Sequence, residues 1–171
     1  MEICIDIETL SLRKNAYILS IGAVRFDRDE IKETFYVSLS EDDQLHRHLD
    51  INTIQWWLQQ SQEAMQKLRH TVYTPQALRK LAEFISSNSS VNIWANSPSF
   101  DCDILSDAYE QFEIRRPWNY YQERDVRTAK QLVGEPEFVG IKHYALDDAI
   151  HEARIVQHYL KLGDHSDDTR G

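Results

Sequence analysis

The first nine residues constrain the fold of this chain more than any other segment. Ile3, Ile5 and Ile7 alternate with more polar side chains, which is the period-two pattern of a β-strand with one apolar face. Residues two apart on a strand project to the same side, so Asp6 and Glu8 bring two carboxylates together where the strand ends. A solvent-facing pair without function is the alternative, and this tripeptide alone leaves both interpretations open because burying unpaired carboxylates is costly.

Two further strands are predicted directly behind the first. Residues 17–26 (YILSIGAVRF) and 34–39 (TFYVSL) are rich in β-branched and aromatic side chains, and a polar turn at 27–29 joins them. Three consecutive strands with short connections predict an antiparallel meander. A short apolar run at 91–95 (VNIWA) predicts a fourth strand.

The later apolar residues recur at helical spacing instead. Helices are predicted over 51–60, from the capping pair Thr74-Pro75 through Ile85, from Asp101 to Phe112, and over a long final segment ending near Leu160. A polar break at 86–90 and a loop at 117–121 separate these elements. This order predicts an α/β fold with a mixed central sheet, three antiparallel strands followed by parallel strands, flanked by helices.

Size, charge and cysteine content narrow the function classes. The 171 residues predict a single domain over 1–162 with a flexible tail at 163–171. A net charge of −9 excludes bulk coating of nucleic acid, although carboxylates that hold divalent cations could still bring in a polyanion. Cys4 and Cys102 are too few for a disulfide framework, and no long apolar run opens the chain, so we expect a cytoplasmic protein without a membrane span.

Two later segments add further acids and a histidine. Asp101 follows a predicted strand and loop and opens a helix. Asp103 would point about 200° away on that helix, so at most one of the two joins a shared site, and the Phe100-Asp101 pair favours Asp101. His143 stands at the start of the last helix, five positions before Asp148. A single histidine there is more often a surface residue than a catalyst, so any functional interpretation depends on the combination.

Taken in chain order, these segments resemble a known family. Asp6-x-Glu8-Thr9, Asn96 through Phe100-Asp101, and His143-x4-Asp148 are similar to the three motifs of the DEDD superfamily of 3'-5' exonucleases, and of its DEDDh branch in particular. Each motif alone is weak, but the three cover nearly the whole chain in the family's order. Stretches such as ILSIGAVRFD and HYALDDA resemble the small phage and bacterial members. The resemblance implies a ribonuclease H-like fold.

The resemblance also implies a reaction and a set of roles. Phosphodiester hydrolysis is assisted by two cations about 4 Å apart, and hard oxygen ligands select Mg²⁺ or Mn²⁺. By resemblance, the catalytic carboxylates that bind the metal ions are Asp6, Glu8, Asp101 and Asp148, with Asp6 bridging both ions. His143 is the general base, since an imidazole with a pKa of about 6.5 suits neutral pH. The expected products are nucleoside 5'-monophosphates, and the terminal-nucleotide pocket is expected at Thr9, Leu10 and Phe100.

Several alternatives stay open. Tyr144 stands four residues before Asp148, the spacing of the tyrosine-type branch, although the flanking residues favour His143 as the base. Trp56 and Trp57 could stack on a base or simply pack in the core. Three basic residues are possible phosphate contacts or merely solvated, namely Arg124, Arg127 and Lys142. The remaining histidines are interpreted as surface residues, namely His46, His48, His70, His151 and His158.

The expected function is therefore a metal-dependent 3'-5' exonuclease acting on single-stranded DNA or RNA ends. The sequence does not decide between the two sugars. A catalytically inactive nucleic-acid-binding module on the same fold is the alternative, and a purely structural protein with decorative surface acids is a third possibility. The oligomeric state is open, although relatives are often homodimers.

Overall fold

Six strands form one mixed sheet in this computed structural model, which describes residues 1–69, 71–86 and 91–162. The strands are β1 (Glu2–Thr9), β2 (Ile18–Phe26), β3 (Ile31–Leu39), β4 (Thr71–Val72), β5 (Asn92–Ala95) and β6 (Glu123–Asp125), and their order across the sheet is β4-β3-β2-β1-β5-β6. β1, β2 and β3 form the expected antiparallel meander, while β5 runs parallel to β1 and β6 parallel to β5. The predicted mixed α/β sheet is therefore confirmed.

Six α-helices accompany the sheet within the described ranges. They are α1 (Ile51–Trp57), α2 (Gln62–Lys67), α3 (Thr74–Ser86), α4 (Asp101–Gln111), α5 (Val126–Val133) and α6 (Ala145–Leu162), with a short 3-10 turn at Tyr120–Gln122. None of the helices in the described part of the chain is long and apolar enough to cross a membrane. The predicted tail, His70 and positions 87–90 of the predicted polar break lie outside the described residues.

The alternation along β1 separates two hydrophobic cores. Ile3, Ile5 and Ile7 pack in one core together with side chains of α3 and α4. Cys4 lies on the opposite face, in a second core with residues of α5 and α6 such as Ala149. Helices cover both faces of the sheet, and the residues of β1 that alternate with the isoleucines face α6. Asp6 and Glu8 belong to this second set.

Where the elements differ from the sequence prediction, the cause is a weak local signal. β6 has three residues and reads Glu-Arg-Asp, and α5 has only eight, so both are shorter than the segments in which a periodic apolar pattern is diagnostic. Thr74 is the first helical residue of α3 rather than its cap. Its backbone N–H and hydroxyl both donate to the carboxylate of Asp43, at 2.7 and 2.8 Å. A residue distant in sequence thus caps this helix, which local pattern cannot show.

Candidate active site

The first two predicted acids lie at the end of β1, beneath the start of α6. Gly22 of β2 is paired with Asp6 in the antiparallel register. A Cβ at Gly22 would lie 2.2 Å from the carbonyl oxygen of Ala145, the first residue of α6. The missing side chain therefore lets the start of α6 approach β2 closely, which places Asp148 on the face of the sheet that carries Asp6 and Glu8.

Asp101 joins this cluster from the first turn of α4. Its side chain is buried, with the residue 2% exposed, and Oδ1 accepts a hydrogen bond from the backbone N–H of Ile7 at 3.1 Å. Asp103 is exposed on the same helix. The structure thus places Asp101 beside β1 and Asp103 in solvent, so only one of the two acids joins the cluster.

His143 and Asp148 reach the cluster from the loop and first turn of α6. His143 adopts a left-handed backbone conformation with a φ of 64°, which is uncommon for a residue with a side chain. Its Nδ1 lies 3.9 Å from Oε1 of Glu8. Potential ligand atoms of Glu8, His143 and Asp148 all lie within 4.8 Å of one another. Asp147 faces elsewhere and accepts the backbone N–H of Ile141 at 2.7 Å.

The electrostatics of the cluster are those of crowded, desolvated carboxylates. Burial and like charges raise the pKa of Asp6 far above its usual range and that of Glu8 to about 8. Burial also raises the pKa of Asp101 to about 7 and that of Asp148 to about 6. For Asp148, hydrogen bonds from the backbone N–H groups of His143 and Tyr144 oppose the rise. Such a cluster is unfavourable at neutral pH without added positive charge.

Two carboxylate oxygens in the cluster lack a hydrogen-bond partner within the described part of the chain. Oδ2 of Asp6 and Oδ2 of Asp148 are buried, and no group in the described residues donates a hydrogen bond to either. Buried carboxylate oxygens without a partner are rare in folded proteins, and metal ions or water commonly satisfy them. Hard oxygen donors of this kind suit Mg²⁺ or Mn²⁺. The donor set therefore fits a site for divalent cations.

Glu152 is a fifth carboxylate of this region, and the sequence prediction did not include it. It follows Asp148 by four residues on α6, so both side chains lie on one face of the helix. Glu152 is 5% exposed, and its Oε2 has no hydrogen-bond partner among the described residues. The i, i+4 spacing was the only signal in the sequence, and it is common on ordinary helices.

An apolar cavity of about 390 Å³ opens beside Glu8. It is lined by Ile7, Glu8, Thr9, Leu12, Asn52, Thr53, Trp56 and Phe100. Thr9 and Phe100 are two of the three residues predicted for the terminal nucleotide. Leu10, the third, is not among the lining residues, and Leu12 lines the cavity instead.

The two adjacent tryptophans have different roles in this wall. Trp57 is buried, and its indole N–H donates to the carbonyl of Thr9 at 2.9 Å. Trp56 is 40% exposed and meets the ring of His143 edge to face, with ring centroids 4.7 Å apart. Trp57 therefore holds the end of β1 through its hydrogen bond to Thr9. Trp56 lines the cavity and also contacts His143.

The competing tyrosine lies outside the cluster. The ring of Tyr144 packs edge to face on Tyr36, with centroids 4.5 Å apart, and Nζ of Lys67 lies 4.8 Å from its ring centroid. His143, in contrast, is the residue of the pair that lies next to Glu8. The geometry favours His143 over Tyr144 as the group that handles a proton.

The three basic residues considered as phosphate contacts differ in position. Arg127 forms an ion pair with Asp125 at 2.8 Å, and Arg124 donates to backbone carbonyls next to it. Lys142 lines a separate cavity of about 180 Å³, in which Asp148 and His143 also take part. Of the three, only Lys142 shares a cavity with members of the carboxylate cluster.

Comparison with known proteins places this geometry in a family. Residues 1–160 match the family of 3'-5' exoribonuclease Rv2179c-like domains. The exodeoxyribonuclease of enterobacteria phage T4 is 25% identical over 155 residues, an alignment that covers 72% of this chain and 68% of that protein.

Two solved structures share the fold. The nuclease domain of 3'hExo, a DEDDh family member bound to rAMP, superposes with a TM-score of 0.67 at 16% identity, covering 95% of this chain and 92% of that one. Exonuclease I of E. coli in complex with a dT13 oligonucleotide gives a TM-score of 0.61 at 14% identity, covering 94% of this chain and 40% of that one. The ribonuclease H-like fold is thereby confirmed. With the family match over nearly its whole length, this chain belongs to the Rv2179c-like 3'-5' exoribonuclease domain family and is a metal-dependent 3'-5' exonuclease.

Proposed function

We propose that residues 1–162 act as one exonuclease domain that removes nucleotides one at a time from the 3' end of single-stranded nucleic acid. Two Mg²⁺ or Mn²⁺ ions are held by Asp6, Glu8, Asp101 and Asp148, and the products are nucleoside 5'-monophosphates. The observation that carries this proposal is the cluster in which Asp6 and Asp148 each keep a buried carboxylate oxygen without a partner among the described residues, while Glu8, next to Asp148, lines a cavity of about 390 Å³. Cavities of this size hold small organic ligands.

The charge of the four carboxylates supports a site for two divalent cations. Four ionised carboxylates carry a charge of −4, which two divalent cations neutralise. When bound, such a pair of ions activates a water molecule and stabilises the charge that develops on the phosphate and on the leaving oxygen. The carboxylates of this chain fix the positions of the ions, because β1, α4 and α6 are held together by the sheet, the Asp101–Ile7 hydrogen bond and the close approach at Gly22.

His143 is the proposed general base. Burial, and to a lesser extent the charge of Lys142, lower the pKa of His143 below its ordinary value. The imidazole is therefore neutral at pH 7 and can accept a proton from the attacking water. Its side chain is 36% exposed, so the accepted proton can pass on to solvent. The left-handed backbone at this residue directs the ring toward Glu8 rather than along the helix.

The apolar cavity is the proposed pocket for the 3'-terminal nucleotide. Aromatic rings of Trp56 and Phe100 line it, and such rings stack on any base without sequence preference. Asn52 and Thr53, at the start of α1, supply polar side chains for the sugar or the base edge. A base inside this cavity is not paired with a second strand, which supports a single-stranded end as the substrate.

The choice between RNA and DNA is tested by one comparison. 5'-labelled single strands of identical sequence, one RNA and one DNA, are incubated with Mg²⁺ or Mn²⁺ and resolved on a denaturing gel, and the released product is identified by chromatography. We expect a ladder that shortens by one nucleotide at a time and nucleoside 5'-monophosphate as the product. The Asp6→Asn variant, prepared in parallel, controls for contaminating nucleases and is expected to leave both strands intact.

The relative rates give the sugar preference. If the wild-type protein binds both strands but shortens neither with either metal, the chain is a binding module rather than an exonuclease. If Asp6→Asn shortens the strands as fast as the wild type, the proposed metal site is wrong.

A further inference from the structure

The carboxylate of Glu152 faces the cluster at a point that the four proposed metal ligands do not occupy. It lines the cavity of about 180 Å³ together with Asp148, His143 and Asn96. This cavity differs from the proposed nucleotide pocket, since the two share no lining residue. Asn96 forms a hydrogen bond with Glu152, yet Oε2 remains without a partner among the described residues.

Glu152 is also closely coupled to the four acids. After burial, the charge of Glu152 is the largest influence that raises the pKa of Asp6. Asp101 and Asp148 in turn raise the pKa of Glu152, and Asp125 adds a smaller contribution. The coupling extends to β1, α4 and α6, the three elements that supply the proposed ligands. Glu152 is therefore a member of the same cluster, not a separate surface acid.

A purely structural role explains this position poorly. A buried glutamate without a cationic partner is costly, and an apolar or amide side chain would fill the same space at lower cost. The adjacent residue, His151, is buried rather than on the surface as predicted, and its Nε2 pairs with Glu135 at 3.2 Å. A divalent cation would satisfy the unpaired Oε2 and offset the added negative charge.

We propose that Glu152 is a fifth carboxylate of the divalent-metal centre and helps to hold the cation that Asp148 binds. This inference rests on the proposed function, because it takes Asp148 as a metal ligand. It assigns the 180 Å³ cavity to the metal and its bound water rather than to a nucleotide. The four-acid set is then incomplete in this chain, and removing the charge of Glu152 weakens metal binding without touching the nucleotide pocket.

The test is calorimetric titration of Mn²⁺ into metal-free protein, with thermal melting as a second readout. The Glu152→Gln variant keeps the shape and the hydrogen bond with Asn96 but loses the charge. Glu110→Gln is the matched control, because Glu110 is exposed near the end of α4 and lines neither cavity. We expect Mn²⁺ affinity to fall by about tenfold or more in Glu152→Gln and to stay near wild type in Glu110→Gln.

Melting of the metal-free proteins shows whether each variant folds. Glu152→Gln is expected to melt at or above the wild-type temperature without metal, since it removes one buried like charge, and to gain less stability from Mn²⁺. Should Glu152→Gln fail to fold, Glu152→Asp keeps the charge but is one methylene shorter, and it is expected to lose Mn²⁺ affinity because its carboxylate no longer reaches the cation. Mn²⁺ affinity equal to wild type in a folded Glu152 variant would overturn this inference alone. If the wild-type protein does not bind Mn²⁺ at all, the proposed metal site itself is wrong.

Discussion

The carboxylate of Asp101 accepts a hydrogen bond from the backbone N–H of Ile7 at 3.1 Å, which joins two residues 94 positions apart in the sequence. Ile7 lies between Asp6 and Glu8 on β1. This bond therefore links the acid that opens α4 directly to the strand that carries the other two carboxylates. A side chain that keeps the acceptor but loses the charge separates the structural role of Asp101 from its proposed metal-binding role.

The Asp101→Asn variant makes this separation. Its amide oxygen can still accept the Ile7 N–H, so we expect a folded protein that melts, without metal, at or above the wild-type temperature. Exonuclease activity should fall by more than about 100-fold, because a direct metal ligand matters at least as much as the groups that support it. Asp103→Asn, an exposed position on the same helix, is the matched control and should retain wild-type activity. Full activity in Asp101→Asn would contradict the assignment.

The raised carboxylate pKa values predict how stability depends on pH. Glu8, Asp101 and Asp148 have pKa values of about 8, 7 and 6, against ordinary values of about 4. Between about pH 4 and 8, the metal-free native state binds more protons than the unfolded chain, so the free energy of unfolding falls as pH rises through this range. Mg²⁺ competes with these protons and should stabilise the protein most at the alkaline end.

Thermal melting in EDTA and in saturating Mg²⁺, at a series of pH values from about 5 to 8, measures this dependence. A change of 1 kcal/mol corresponds to about 2–4 °C in a protein of this size. We expect the difference in melting temperature between the two conditions to widen steadily with pH. A difference that is constant across the range would show that these carboxylates do not bind the metal.

Substitutions of His143 and Tyr144, the two residues just before α6, test which of them is the general base. His143→Ala should lower kcat by about 10²–10⁴-fold, because it removes the group that accepts the proton. Tyr144→Phe should leave kcat close to wild type, since its ring packs on Tyr36 away from the cluster. The wild-type rate should rise with pH below about 6.5, because the pKa of His143 is lowered from that value. A large fall in kcat for Tyr144→Phe together with a near wild-type kcat for His143→Ala would instead identify Tyr144 as the general base.

Gly22 tests whether the approach of α6 to the sheet positions the site. A Cβ at this residue would lie 2.2 Å from the carbonyl oxygen of Ala145, so Gly22→Ala must push the start of α6 away from β2. We expect a loss of about 1–3 kcal/mol of stability together with reduced Mn²⁺ affinity, since Asp148 moves with the helix. Calorimetry and melting on the same preparation measure both. Unchanged melting and Mn²⁺ binding would show that the close approach at Gly22 does not position α6.

Elements with long periodic patterns could be predicted from the sequence, and short ones could not. β1 and α6 are long, and their apolar residues repeat at one period, so their type and approximate position followed from pattern alone. β4 has two residues and β6 three, and each depends on a neighbouring strand to form. Strands this short are stabilised by tertiary pairing, which leaves little trace in local sequence.

The same distinction applies to the candidate site. Helical geometry showed that at most one of Asp101 and Asp103 could join the cluster, because the two side chains point in different directions from one helix, and the Phe100-Asp101 pair favoured Asp101. The positive φ of His143 is set by the loop that enters α6, and no local pattern shows it. Glu152 escaped prediction because its partners come from three different elements. Its significance became visible only once the fold brought those partners together.

Diffraction from crystals soaked in Mn²⁺ and a nucleoside 5'-monophosphate, with data collected at the manganese absorption edge, tests the central claim most directly. The account predicts two anomalous peaks within the cluster, in contact with carboxylate oxygens of Asp6, Glu8, Asp101 and Asp148. It also predicts the base of the monophosphate in the cavity beside Trp56. A cluster without manganese, or manganese bound only away from these four carboxylates, would contradict the account.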